Sequence, residues 1–347
     1  MEDLIYLDFA SKAPPIPCAI EAFLTAPFEN PSSSHACGQV ARRALEDARA
    51  RIAKCMDCIP EEVYFTSTAT EAAKLAVYSL EKTARTVVPS KYEHHSVSEN
   101  CMRSVDLIMS EGEFVTATML ANNETGAILP KPDRYYESCW LCDATAAVGH
   151  IPVSFKDLGC DYLIADGIKF GGVSGAAFLI ARDGAPLYPL ICGGGQERGM
   201  RAGTENVPAI CAMASALEWQ CEHMDENLRH AHKLYLLMLQ LLDDYQLNVG
   251  GDTANVSPYI LNVSFPGVEG TALALYLSKM GVMVSTGAAC SNGLNEPSHV
   301  LMAMYGDEAR ARSAIRISFS HTTTEEEVRT AAEKVMSAVR MLRGIGG

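Results

Sequence analysis

The sequence predicts an α/β fold, a mostly parallel central sheet with helices on both faces, joined to a smaller α+β unit. Three observations predict it. Short β-rich runs alternate with helix-periodic stretches through the first two thirds of the chain, the pattern of parallel strands joined by crossover helices. Near Asp244 that alternation gives way to short strands and helices in mixed order. Finally, 347 residues at 48% hydrophobic and 20% charged exceed one ordinary domain and can bury a sizeable core.

Taken in order, the stretch from His35 to Met56 carries Val40, Ala41, Ala44, Leu45, Ala48, Ile52 and Ala53 at helical spacing. Strands are expected at Val63–Ser67, Thr86–Pro89, Phe114–Leu120, Ser138–Cys142, Tyr162–Ala165 and Ala176–Ile180. A helix follows Thr70-Glu71 through Ala72 to Val77. A long amphipathic helix is expected from Ala209 to Leu242, broken near Met224 to Glu226. Beyond it come strands Ile260–Phe265, Val282–Ser285 and Ile315–Ser320, with helices Gly270–Lys279 and Glu325–Leu342. There is no internal repeat and no low-complexity linker.

Composition excludes several classes of function. With 28 Lys+Arg against 42 Asp+Glu the net charge is −14, which disfavours nucleic acid and anionic membrane as partners. No apolar run approaches the ~18 residues of a membrane span. The start, Met1-Glu2-Asp3, lacks the basic region of a signal peptide, so a soluble, cytoplasmic protein is expected. Twelve cysteines in such a chain are not a disulfide framework. Cys55/Cys58 and Cys139/Cys142 have CxxC spacing. Their helix-end and apolar-strand contexts favour small buried hydrophobes over zinc ligands, so no metal is expected.

Four segments have the composition of a reactive site. Asp143 ends one strand, and Asp166-Gly167-Ile168-Lys169-Phe170-Gly171-Gly172 follows another. That is the edge of a parallel sheet where ligands bind. Lys as Schiff base with Asp beside a heterocyclic cation is pyridoxal phosphate chemistry, although for this fragment in isolation a surface Lys in a glycine-rich turn is the favoured reading. Thr66 to Glu71 closes a strand and opens a helix, suiting either a phosphate or a plain N-cap. Gly193 to Asn206 is glycine-rich and partly basic, a shaped loop near an anion. Ser285 to Gly293 places Cys290 among small residues, where a mobile thiol suits nucleophilic work.

Together these segments resemble the cysteine desulfurases, the NifS/IscS-like branch of the class V aminotransferases, over nearly the whole chain. The resemblance is carried by Tyr6-Leu7-Asp8, Asn30 to His35 with Gly38, Thr66–Glu71, Glu93-His94-His95, Asn122 to Gly126, Asp143-Ala144-Thr145, Lys169, Gly193–Asn206, Ala289-Cys290-Ser291 and Ala314-Ile315-Arg316. It implies the fold of type I pyridoxal phosphate-dependent transferases, aspartate aminotransferase-like. A large cofactor domain would span 15–243, and a small domain would combine 1–14 with 244–347. The resemblance implies that Lys169 holds the cofactor covalently, Asp143 pairs with the pyridine nitrogen and His94 stacks on the ring. Ala69 and Thr70 would meet the phosphate, helped by Thr204 of a neighbouring subunit, which implies a homodimer. Asn123 and Arg316 would hold the carboxylate of L-cysteine. Cys290 would take its sulfur as a persulfide, for hand-over to an acceptor protein in iron–sulfur assembly or another pathway.

Departures from the family fall on the cofactor pocket. Asp166 and Ile168 stand where a Ser or Thr and a His precede the lysine, and Ala146 replaces a ring-contacting Gln. Thr68 replaces the first Gly of the phosphate motif, and Phe9 follows Asp8 in place of Asn. An acidic Asp166 facing a dianionic phosphate is repulsive unless protonated or turned away. Two readings follow. One is a working desulfurase with fewer phosphate contacts. The other is a relative with a changed job: a selenocysteine lyase or an enzyme for another amino acid, or a non-catalytic sulfur-transfer partner with a weakened cofactor site.

Overall fold

The computed structural model describes residues 4–83, 85–101, 114–132, 139–249, 255–286 and 296–345, and Cys290 lies outside them. The described elements begin β1 (Ile5–Tyr6), α1 (Pro17–Thr25), α2 (Ala36–Met56), β2 (Val63–Thr66), α3 (Ala69–Glu81), β3 (Thr86–Pro89) and α4 (His95–Ser98). They continue with β4 (Phe114–Met119), β5 (Trp140–Asp143), α5 (Phe155–Leu158), β6 (Tyr162–Asp166), β7 (Ala177–Ala181), α6 (Val207–Glu222) and α7 (Met224–Leu241). The remainder is β8 (Gln246–Leu247), β9 (Ile260–Ser264), α8 (Gly270–Lys279), β10 (Val282–Met283), α9 (His299–Tyr305), α10 (Glu308–Arg312), β11 (Ala314–Ser318) and α11 (Glu325–Ile345).

The chain divides into two compact units. One comprises Pro14–Leu120 with Leu129–Met224, the other Met1–Ala13 with Ala121–Ile128 and Asp225–Gly347. The first holds a six-stranded sheet in the order β2-β7-β6-β5-β4-β3. β3, β4, β5 and β6 run parallel, while β7 is antiparallel to both β6 and β2. Tyr162 to Asp166 and Ala177 to Ala181 are buried at every position, as strands covered on both faces must be. Ala72, Ala76 and Leu80 of α3 pack with Leu141, Ile164 and Leu179 of the sheet. α2 is fixed at its start by the His35 ring accepting from the Gly38 N–H and ends at Asp57 in left-handed backbone, φ 54°. Its buried face, Ala41, Leu45, Ala48, Ile52 and Ala53, follows the expected spacing, but Val40, expected on the same face, is exposed and Ala44 is half-buried. The long helix after Asn206 breaks at His223, one residue before the segment expected from the sequence.

The second unit pairs β11, β9 and β8 in an antiparallel sheet and β1 with β10 in parallel. Leu261, Val263, Ile315 and Ile317 of that sheet share a core with Leu234 and Met238 of α7, Leu273 of α8 and Val335 of α11. The turn Asn122–Gly126 belongs to this unit. The Asn122 side chain accepts from the N–H groups of Glu124 and Thr125, each at 2.9 Å, and Gly126 closes the turn at φ +75°. A Cβ on Gly126 would meet the Ile260 carbonyl at 2.8 Å. Gly126→Ala should therefore lower the unit's stability by about 1–3 kcal/mol, read as a lower urea midpoint. An unchanged midpoint would show that the turn adapts.

Candidate active site

Parallel strands deliver their following residues to one edge, and the first unit uses that edge for its most reactive side chains. Asp143 is the last residue of β5, opposite Met119 of β4 and Ile164 of β6. It is buried, and its Oδ1 accepts from the Thr145 N–H at 2.9 Å. Lys169 ends the 3-10 turn Gly167–Lys169 that follows β6. That turn folds back tightly, with the Gly172 N–H donating to the Gly167 carbonyl at 2.8 Å. A side chain at Gly172 would meet the same carbonyl at 2.9 Å. His94 precedes α4, its ring accepting from the Ser96 N–H at 3.1 Å. Ala69 and Thr70 open α3, which Thr68 caps by accepting from the Glu71 N–H.

Glu93 is the residue at this edge whose role the sequence did not disclose. It is 1% exposed. Burial pushes its carboxyl up to about 8, and neighbouring Asp143 adds to the rise. Glu93 thus carries a proton at neutral pH, which spares Asp143 a second negative charge beside it. The motif Glu93-His94-His95 was visible, but the spatial pairing of Glu93 with Asp143 has no sequence signal. The His150 ring, also unforeseen, is lowered to about 4, chiefly by burial and in smaller part by the positive charge of Lys169.

The start of α3 is already occupied by the chain's own groups. Asp166 Oδ2 accepts from the Ala69 N–H at 3.0 Å, and Oδ1 accepts from the Ile168 N–H at 3.2 Å. Glu71 accepts from the Ser67 N–H at 2.9 Å and from Arg201 at 2.7 Å. Burial alone raises a carboxyl, yet these partners hold Glu71 below the usual range. The glycine-rich loop is shaped around chain carboxylates. Glu197, at φ 47°, takes both terminal nitrogens of buried Arg49 at 2.8 and 2.9 Å and the Phe65 N–H. Thr204, in the same loop, is exposed.

In the second unit Arg316 is 4% exposed in β11. Nη1 donates to the Asn123 carbonyl at 2.8 Å, while Nη2 donates to Asp8 at 2.9 Å and Ser11 at 2.7 Å. Nε is buried and has no hydrogen-bond partner among the described residues. Among the described residues, three of the five guanidinium donors are thus engaged. Nearby Glu124 is buried, which raises its carboxyl; the Ser298 hydroxyl donates to it at 2.5 Å, and Arg316 opposes the rise. Ser11 and Ser298 are partners that the sequence did not reveal.

These residues fit a pyridoxal ring and fail to fit its phosphate. A buried carboxylate at a strand end suits a pyridinium, and Lys169 on the next strand's turn suits an aldehyde. At the phosphate end, by contrast, the Ala69 and Ile168 N–H groups are taken by Asp166, and the Ile168 side chain supplies no donor. The CxxC cysteines stand apart from this chemistry. Cys142 is fully buried in β5 beside Cys160, and Cys139 accepts from Arg85 at 3.2 Å. Among the described residues no group of three His, Cys, Asp or Glu side chains is placed to hold a metal ion. Likewise, no helix is long and apolar enough to cross a membrane.

Glu93 gives the edge a pH signature. Between about pH 5 and 8 the native chain keeps a proton that the unfolded chain has lost, so stability falls as pH rises, by at most about 1.4 kcal/mol per unit. Glu93→Gln should flatten that decline in urea titrations. A variant with the wild-type slope would show that Glu93 does not hold the proton.

The family model for aminotransferase class-V matches residues 5–105 and 99–330. A "Cysteine desulfurase IscS" from Dictyoglomus turgidum is 34% identical over 383 residues, covering 99% of this chain and 97% of the relative. Among solved structures, a "NIFS-LIKE PROTEIN" superposes with a TM-score of 0.88 at 30% identity, covering 97% of this chain and 100% of its own. Another, "SspA in complex with cysteine", has a TM-score of 0.77 at 25% identity, covering 92% and 99%. With its strand-end Asp143 and Lys169, and with a match that runs through both units, the chain belongs to the class V aminotransferase family.

Proposed function

We propose that the protein is a cysteine desulfurase, converting L-cysteine to L-alanine and placing the sulfur on Cys290 as a persulfide. The observation that carries this reading is the pairing of Lys169 and Asp143 at adjacent strand ends in a chain whose full-length relatives bear that activity in their names. A pyridoxal-class aldehyde, when bound, would supply the electron sink that lets a carbon–sulfur bond break.

The chain's own residues supply the remainder. Asp143 presents a buried carboxylate to the ring nitrogen, with Glu93 kept neutral beside it. His94 would cover the ring, and Lys169 would hold the aldehyde and move protons at the substrate carbon. Arg316, braced by Asp8 and Ser11, meets the substrate carboxylate with its remaining donors, and Asn123 sits against it. The Cys290 thiolate takes the substrate sulfur. One sulfur–sulfur bond forms, one carbon–sulfur bond breaks, and the departing carbon gains a proton to become the alanine methyl. Exposed Thr204, and exposed Phe23, Leu24 and Phe28 on and after α1, support a homodimer. A cytoplasmic protein that hands sulfur to an acceptor protein completes the reading.

Alanine release and persulfide formation measured together test it. The wild type should produce both in equal amounts, and Cys290→Ala should lose the persulfide, with turnover reduced about 100-fold or more. A Cys290→Ala variant forming persulfide at the wild-type rate would overturn the assigned nucleophile. Arg316→Lys keeps the charge but loses the fork. It should raise KM for cysteine about tenfold or more, and an unchanged KM would remove Arg316 from the substrate site.

A further inference from the structure

A phosphate monoester is a dianion, and a helix N-terminus attracts one by offering N–H groups that lack partners. At the start of α3 one of those groups already has an anion. The Asp166 carboxylate spans from β6 to α3, with Oδ2 on the Ala69 N–H at 3.0 Å and Oδ1 on the Ile168 N–H at 3.2 Å. It is 6% exposed, so little water screens it from an incoming anion. Arg201, the cation that reaches this first turn from the glycine-rich loop, is engaged with Glu71 of the turn. Burial raises the Asp166 carboxyl above the usual range; the Ala69 and Ile168 N–H groups and then Lys169 oppose the rise, and Asp143 adds to it. β7 sets Ala177 opposite Asp166 in register, and α6 brings Met213 against the adjoining Gly167; neither side chain is charged.

We propose that Asp166 is a specificity-determining residue that keeps the phosphate position at the start of α3 for itself, so that the site takes a pyridoxal-class aldehyde by its ring and discriminates against the phosphate ester. The proposal rests on the reading of Lys169 and Asp143 given above. A phosphate reaches the Ala69 N–H only when the carboxylate is neutral or turned aside. A phosphate-free aldehyde meets no such obstacle, because its contacts are with Asp143, His94 and Lys169.

Equilibrium dialysis of the full chain against pyridoxal 5'-phosphate and against pyridoxal gives the ratio of the two dissociation constants. Asp166→Ser should move that ratio toward the phosphate ester by about tenfold or more, with pyridoxal affinity nearly unchanged. Asp166→Asn keeps an acceptor for the Ala69 N–H while losing the charge. It should move the ratio the same way, so the test survives if the serine variant folds poorly. A ratio unchanged in both variants, or phosphate-ester binding weakened in both, overturns the proposal. Inorganic phosphate is the second probe, and it should raise the Tm of both variants but not of the wild type. If neither pyridoxal compound binds any form while phosphate stabilises the variants alone, the cofactor reading fails and the role of Asp166 stands. Equal stabilisation of the wild type by phosphate removes that role.

Discussion

The parallel pairing of β5 with β6 is the constraint on which the rest of the structure depends. It sets Asp143 opposite Ile164, two residues before Asp166, so that two carboxylates and then Lys169 emerge together from adjacent strand ends. A parallel register demands helices or long connections between its strands, and those place α3 and α4 at the same edge. Everything chemical in the first unit inherits its position from that register. A shift of one residue would turn Asp143 and Asp166 to the opposite faces of their strands.

Once several acids crowd one edge, the fold must neutralise them internally, and it does so by three different means. Glu93 keeps its proton, because burial and Asp143 make ionisation unfavourable. Asp166 stays bound to backbone N–H groups of α3 and of its own turn. Glu71 and Glu197 take the arginines Arg201 and Arg49. In the second unit Arg316 is likewise braced, by Asp8 and Ser11. A guanidinium held this way has lost its rotamer freedom before any substrate arrives, which lowers the entropy lost on binding.

Most of the fold was legible in the sequence because its signals are periodic. Tyr162–Asp166 and Ala177–Ala181 are nearly unbroken apolar runs, and α2 shows its buried face at regular spacing. Short elements such as α5 and β8 were not legible. Two to four residues cannot express a period, and long-range pairing decides them. The site divides along the same line. Asp143, Lys169 and Arg316 are announced by motif and strand position. The pairing of Glu93 with Asp143 and the bond from Asp166 to Ala69 join residues 50 or more apart in the chain, and no local pattern encodes them. The departure at Asp166 was visible as a residue type, but its hydrogen bonds belong to the three-dimensional structure alone.

The measurement that tests this account most directly is the absorption spectrum of the purified protein with excess pyridoxal and, separately, excess pyridoxal 5'-phosphate, before and after L-cysteine. Lys169→Ala serves as the control. The account predicts a visible-range band that requires Lys169 and changes when cysteine is added. No Lys169-dependent band with either compound would contradict it, because the sheet edge would then hold a lysine and a carboxylate that take no pyridoxal-class cofactor.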